Sequence, residues 1–271
     1  MSDSIAFIGG GNMASALIAG LIKQDTPAQQ ICVVDPDANA RDTLTTRFGV
    51  KTLAQADASL GAAGLVVWAV KPQVFKAAAA ATASMTRQAL HLSVAAGVRS
   101  DSIASWLGTE RVVRAMPNTP ALIGQGISGL FARASVSQDD KARVNQLLAS
   151  TGTAIWFDAE DKLDVVTALS GSGPAYVFYF MEAMTMAGTE MGLEREQAQQ
   201  LAIATFAGAS ALAQSSSDAP QMLRQRVTSK GGTTFAAISS MEDNDVRALF
   251  IDAMYAARER AKALGDEFGT A

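Results

Sequence analysis

The sequence predicts an α/β domain over residues 1–160 followed by an all-α domain over residues 161–271. Three observations carry that division. Up to about residue 157, short apolar and often β-branched runs alternate with helix-like segments, the pattern of a parallel sheet flanked by helices. The charged cluster Asp158-Ala159-Glu160-Asp161-Lys162 interrupts that alternation, and beyond it strand signals vanish. A length of 271 residues also exceeds the usual single domain and fits two of ordinary size.

Strands are expected at Ile5–Ile8, Ile31–Val34, Leu65–Val70, Ala89–Val94, Val112–Ala115, Ile127–Phe131 and Ala154–Phe157. The helices between them are expected near 12–23, 38–48, 73–84, 101–107 and 138–150. Between the first strand and the first helix lies Ile8-Gly9-Gly10-Gly11-Asn12-Met13-Ala14, which matches G-x-G-x-x-G/A with Ala14 in third place. Gly9 permits a sharp turn, Gly11 lets the backbone approach a pyrophosphate, and Ala14 lets helix and strand pack closely. The helix N-terminus then faces the anion. A dinucleotide site in a Rossmann-type domain is the reading this context supports.

Asp35 ends the second strand, where a carboxylate can accept from the adenosine ribose hydroxyls and favour NADH over a 2'-phosphorylated cofactor. It can equally cap the next helix or turn, or be offset by Arg41, so NADH against NADPH stays open. Ala69-Val70-Lys71-Pro72, Ala95-Ala96-Gly97 and Met116-Pro117-Asn118-Thr119-Pro120 follow the next three strands and share the carboxyl rim, where ligands of such sheets gather. Pro72 suits a first helical turn. Lys71 reads either as a solvated lysine or, on that common rim, as a cofactor contact.

Composition narrows the function classes. Hydrophobic residues make up 49% and charged residues 18%, enough for a sizeable core and too little charge for disorder. A net charge of −4 with interspersed signs offers no basic face, so nucleic acid and anionic membranes are not expected partners. Cys32 and His91 are the single cysteine and histidine, which leaves no disulfide, no Cys/His metal cluster and no Ser-His-Asp triad beyond one His. His91, inside a strand run, reads as a packed or an edge histidine. The opening Met1-Ser2-Asp3-Ser4 lacks the order of an export signal, and the cysteine count suits a reducing cytoplasm. The apolar stretch Tyr176 to Met186 is interrupted by Glu182 and too short for a bilayer.

In the second domain a long helix from about Asp164 to Gly192 carries Leu169, Tyr176, Phe178, Phe180, Met181 and Met184 on too many sides for one stripe. A second subunit is the natural cover, giving an intertwined helical dimer; the first domain of the same chain is the alternative. Small residues between Ala202 and Ala211 allow the next helix to pack closely. Ser229-Lys230-Gly231-Gly232-Thr233-Thr234 precedes a helix-like stretch from Phe235 to Met241. Its amides can hold a carboxylate, or it is an ordinary capped helix with a glycine turn.

Taken together, Phe7-Ile8-Gly9-Gly10-Gly11-Asn12-Met13, Ala69-Val70-Lys71-Pro72-Gln73, Ser93-Val94-Ala95-Ala96-Gly97-Val98, Arg114-Ala115-Met116-Pro117-Asn118-Thr119-Pro120, Leu169-Ser170-Gly171-Ser172-Gly173-Pro174-Ala175-Tyr176 and the region Pro220 to Glu242 resemble the pyrroline-5-carboxylate reductases from end to end. The resemblance implies a Rossmann-type domain and a helical dimerisation domain, with active sites where one subunit's cofactor domain meets the partner's helices. It implies hydride transfer from NAD(P)H to the imine carbon of 1-pyrroline-5-carboxylate, giving L-proline in the last step of proline biosynthesis. Gly231, Gly232 and Thr233 would hold the substrate carboxylate, Thr234 would orient the ring nitrogen as the catalytic residue, and Glu160 would lie near the substrate. Two positions depart from familiar members. Asp35 stands where NADPH-preferring relatives show a small hydroxyl residue, and Lys230 where proline is frequent.

Two rival functions remain on sequence. A β-hydroxyacid or ketopantoate reductase would carry a lysine acid early in the second domain, yet none follows Lys162 until Lys230. A non-catalytic dinucleotide sensor would have no use for the Gly-Gly-Thr-Thr loop.

Overall fold

The structure, a computed structural model, describes residues 4–270; Met1–Asp3 of the opening segment lie outside the described residues. The chain divides into two compact units. One runs through Ser172 and takes back the chain from Ala257 onward; the other is Gly173–Ala256.

The first unit is built on eight strands, β1 (Ile5–Ile8), β2 (Ile31–Val34), β3 (Lys51–Leu53), β4 (Leu65–Trp68), β5 (Leu90–Ser93), β6 (Val112–Met116), β7 (Gly126–Ala132) and β8 (Gly152–Phe157). Their order is β3-β2-β1-β4-β5-β6-β7-β8, with β1 between β2 and β4, so the strand order reverses at β1. Helices α1 (Asn12–Lys23), α2 (Ala38–Phe48), α3 (Pro72–Thr86), α4 (Ser100–Leu107) and α5 (Gln138–Leu148) connect them. Successive side chains of a strand point to opposite faces, so the central strands feed two cores and are apolar on both sides. Phe7, Val67, Leu92 and Val113 pack with Leu17 of α1 and Val144 of α5. Ile8, Val66, Trp68 and Val112 pack with Phe75 of α3 and Ile103 of α4.

Two features of the sheet depart from expectation. The strand β3 leaves no pattern in the sequence, because it is three residues long at the sheet's edge with no fully buried position. The pair β6 and β7 is antiparallel, although a parallel sheet was expected. Its physical cause is the link from Met116 to Gly126, which holds only a 3-10 turn at Thr119–Ile123 and is too short for a crossover of a dozen residues or more.

The expected long helix from Asp164 to Gly192 is broken into α6 (Lys162–Val166), a π-helical turn at Thr167–Gly171, and α7 (Gly173–Glu190). Pro174 has no N–H to continue the ladder and favours a first helical turn, which restarts the helix there. The wide turn closes with Ser172 N–H donating to Thr167 O at 2.8 Å.

The second unit is helical throughout: α7, α8 (Arg195–Ser215), α9 (Pro220–Arg226), α10 (Thr233–Asp243) and the start of α11 (Val246–Thr270). Gly188 lets α7 approach α8, since a Cβ there would stand 2.9 Å from Ala198 Cβ. Within α7 and α8 only Gly188, Ala198 and Ala202 are buried. Large apolar side chains stay exposed, Phe178 at 62% and Leu201 at 57% among them. Among the described residues no helix is long and apolar enough to cross a membrane.

Candidate functional site

The turn after β1 is the most constrained backbone of the first unit. Gly9 has φ +96°, a left-handed value that L side chains avoid, and a Cβ there would stand 2.5 Å from Ala69 O. Its N–H donates to Val34 O at 2.8 Å, and Ala69 N–H donates to Ile8 O at 2.8 Å, so neighbouring strands clamp the turn from both sides. Gly10 donates to Asp35 Oδ2 at 2.6 Å. Gly11 differs from both: a Cβ built on it meets nothing within 4 Å. The chain is thus bare where a ligand would approach.

Gly11 also forms the N-cap of α1 and supplies no side-chain cap, so the first-turn amides of Asn12 and Met13 present the positive end of the helix dipole. Ala14 is fully buried, which seats the helix on the sheet. A cavity of about 380 Å³ opens here, lined by Gly10, Gly11, Asn12 and Ser15 on one wall and by Asp37, Asn39, Thr43 and Arg47 on the other. The donor set fits an anionic nucleotide, at the point where the strand order reverses and such sheets bind ligands.

Asp35 does not line that cavity. Besides Gly10 N–H it accepts from Asp37 N–H through Oδ1 at 2.8 Å. Arg41 reaches back with Nη1 to the carbonyls of Asp35 and Pro36, each at 2.8 Å. The cavity wall of Asp37, Asn39, Thr43 and Arg47 escaped the sequence reading; Asp37 as N-cap of α2, accepting from Asn39 N–H at 2.9 Å, was its one legible sign.

The other rim residues fall into two groups. Ala69 and Val70 follow β4, and Lys71 is exposed as the N-cap of α3 with Pro72 in the first turn. Ala95 and Gly97 are buried while Ala96 is half-buried. Gly97 has φ +76°, and a Cβ there would come within 3.0 Å of Leu264 Cβ, so its smallness serves packing against α11. Asn118 Oδ1 accepts from Ile127 N–H at 3.0 Å, tying the turn after β6 to β7.

Glu160 is engaged three times. It accepts from Ser100 N–H at 2.7 Å, from Ser100 Oγ at 2.6 Å and from Arg114 Nη1 at 2.7 Å, so it caps α4 and neutralises a buried guanidinium. Burial pulls the Arg114 pKa below its ordinary value, and Glu160 works against that shift. His91 is fully buried: Nδ1 accepts from Trp68 Nε1 at 3.0 Å and Nε2 donates to Thr86 O at 3.0 Å. That pattern needs the neutral ring, and burial lowers its pKa from 6.5 to about 4.

In the helical unit, Gly231 takes φ +76° and Gly232 N–H donates to Ser229 O at 3.0 Å, which folds the loop into a tight turn. A Cβ on Gly232 would stand 2.8 Å from Ser229 Oγ. Gly232 is the N-cap of α10 without a side-chain cap, so the first-turn amides of Thr233 and Thr234 face outward as anion donors. Thr233 is exposed, Thr234 is half-buried, and the exposed Lys230 adds a cation beside them.

The chain is 46% identical over 267 residues to a pyrroline-5-carboxylate reductase of Pseudomonas aeruginosa, with 98% of each chain covered. It belongs to the pyrroline-5-carboxylate reductase family. A relative of that name from Arabidopsis thaliana is 35% identical, covering 97% of this chain and 96% of the other. Residues 160–264 match the family model "Pyrroline-5-carboxylate reductase dimerisation", and residues 4–97 match "NADP oxidoreductase coenzyme F420-dependent". The solved pyrroline-5-carboxylate reductase of Coxiella burnetii superposes with a TM-score of 0.89 at 40% identity, covering 97% of this chain and 99% of that one. A Plasmodium falciparum pyrroline carboxylate reductase with NADP bound gives 0.87 at 28% identity, covering 98% and 99%. The N-terminal Rossmann-like sheet and the helical C-terminal dimerisation domain are thereby those of the family.

Proposed function

We propose that the chain is an NAD(P)H-dependent oxidoreductase that reduces the C=N bond of 1-pyrroline-5-carboxylate to give L-proline, the last step of proline biosynthesis. The single observation that carries this reading is the 46% identity over 98% of both chains with the Pseudomonas aeruginosa reductase. When bound, the reduced nicotinamide supplies the hydride that the imine carbon accepts.

The chain's own residues have two tasks. On the cofactor side, Ile8 through Ala14 form the bare turn and the uncapped helix start that receive the pyrophosphate. Asp35, Ala69, Val70, Lys71, Pro72, Ala95, Ala96, Gly97 and Asn118 shape the rim around it, Gly97 by packing and Asn118 by holding its turn. On the substrate side, Gly231, Gly232 and Thr233 hold the carboxylate at the N-terminus of α10, and the Thr234 hydroxyl orients the ring nitrogen. Glu160 contributes by fixing α4 and Arg114. A protonated imine is already electrophilic, so positioning outweighs any strong acid or base, and a neutral buried His91 is no loss.

The exposed apolar faces of α7 and α8 fit a homodimer in which two copies cover each other. Cys32 as the only cysteine fits a reducing cytoplasm. The test follows oxidation of NADH and of NADPH with and without pyrroline-5-carboxylate. Imine-dependent oxidation is expected; nucleotide binding without turnover would favour a sensor or another substrate.

A further inference from the structure

The reading of Asp35 as the residue that selects between the two cofactor forms conflicts with where its carboxylate is held. Oδ2 accepts from Gly10 N–H at 2.6 Å and Oδ1 from Asp37 N–H at 2.8 Å. Both oxygens are therefore turned onto backbone amides, and Asp35 is absent from the wall of the nucleotide cavity. The next carboxylate along the chain, Asp37, is exposed and does form that wall, with Asn39, Thr43 and Arg47 beside it. Its Oδ1 caps α2 at Asn39 N–H.

We propose that Asp35 is a positioning residue that fastens the glycine turn, and that Asp37, two residues further on, is the carboxylate that discriminates the plain adenosine ribose from its 2'-phosphate. The inference rests on the dinucleotide-binding part of the proposed function. A charge-assisted bond from Gly10 N–H to Asp35 fixes the middle glycine of the turn, so its loss loosens the pyrophosphate seat for either cofactor alike. A carboxylate on the cavity wall instead repels a phosphate dianion while leaving a hydroxyl pair acceptable. The cations that oppose it on α2 are Arg47, on the same wall, and Arg41, which is fastened to the carbonyls of Asp35 and Pro36.

The experiment measures dissociation constants of NADH, NADPH and adenosine 2',5'-bisphosphate by calorimetry for the wild type, Asp35→Asn and Asp37→Asn, together with melting temperatures. Asp35→Asn is expected to weaken NADH and NADPH together by about tenfold, leaving their ratio within about twofold of wild type. A merely structural role would lower the melting temperature without moving either constant. Asp37→Asn is expected to shift the ratio about tenfold toward NADPH and to tighten the bisphosphate to match. A ratio that moves with Asp35→Asn and stays put with Asp37→Asn overturns the proposal. A wild type that binds none of the three nucleotides would instead overturn the proposed function itself.

Discussion

Both units are held together by packed apolar side chains, yet they differ in where those side chains end up. In the sheet unit, Phe7, Leu17, Trp68, Phe75 and Leu92 are all fully buried, and helices cover both faces of the sheet. In the helical unit the equivalents lie outside: Phe178 is 62% exposed, Tyr179 69% and Leu249 64%. A unit of 84 residues, Gly173 to Ala256, whose helices α7 and α8 bury only small side chains has not closed a core by itself. The same hydrophobic effect thus supports one half internally and favours association in the other.

The largest effect should come from breaking that association. Replacing Phe178 and Leu201 together by Glu places charge on faces we assign to the dimer, and is expected to abolish turnover and yield monomers in sedimentation velocity. Persistence of a fully active dimer would show that these faces are free. Next in size, Thr234→Ala in the helical unit is expected to lower kcat about a hundredfold while the cofactor dissociation constant stays put. Unchanged turnover would remove Thr234 from the mechanism.

The sheet unit offers a sharper contrast within one turn. Gly11→Val adds bulk where nothing lies within 4 Å, so nucleotide affinity should fall tenfold or so with the melting temperature kept. Gly9→Ala meets Ala69 O at 2.5 Å and a positive φ, so the melting temperature itself should drop. Equal effects of both substitutions on melting would mean that the bare position has a structural use.

A separate effect is thermodynamic, acts on stability alone and belongs to His91. Its pKa is 6.5 when exposed and about 4 in the fold, so the unfolded chain binds the proton more readily. The stability His91 contributes is present above pH 6.5 and is lost as pH falls toward about 4, by about 3 kcal/mol at about 1.4 kcal/mol per pH unit. Urea titrations at pH 7 and pH 5 on the wild type and His91→Asn check it, because the variant should lack this part of the slope.

Periodicity made most of the sheet unit legible, because buried strands such as Leu65–Trp68 write continuous apolar runs. It could not show β3, whose three residues at the edge bury too little to leave a pattern. Strand direction is likewise silent in composition, although the short link before Gly126 was a usable sign of the antiparallel β7. The π-helical turn at Thr167–Gly171 hid inside an apolar run whose Gly171, Gly173 and Pro174 were its only marks. At the site, the glycine turn was readable because its steric demands select glycine itself. The engagement of Asp35 by Gly10 and of Glu160 by Arg114 was not, since those pairs lie 25 and 46 residues apart and either acid could have faced a ligand.

Whether this chain makes proline is decided by product analysis: purified protein, pyrroline-5-carboxylate and NADPH or NADH, with L-proline quantified against oxidised cofactor. Proline formed mole for mole with the cofactor consumed is the expected result. Cofactor oxidised without proline, or bound without being oxidised, would contradict it.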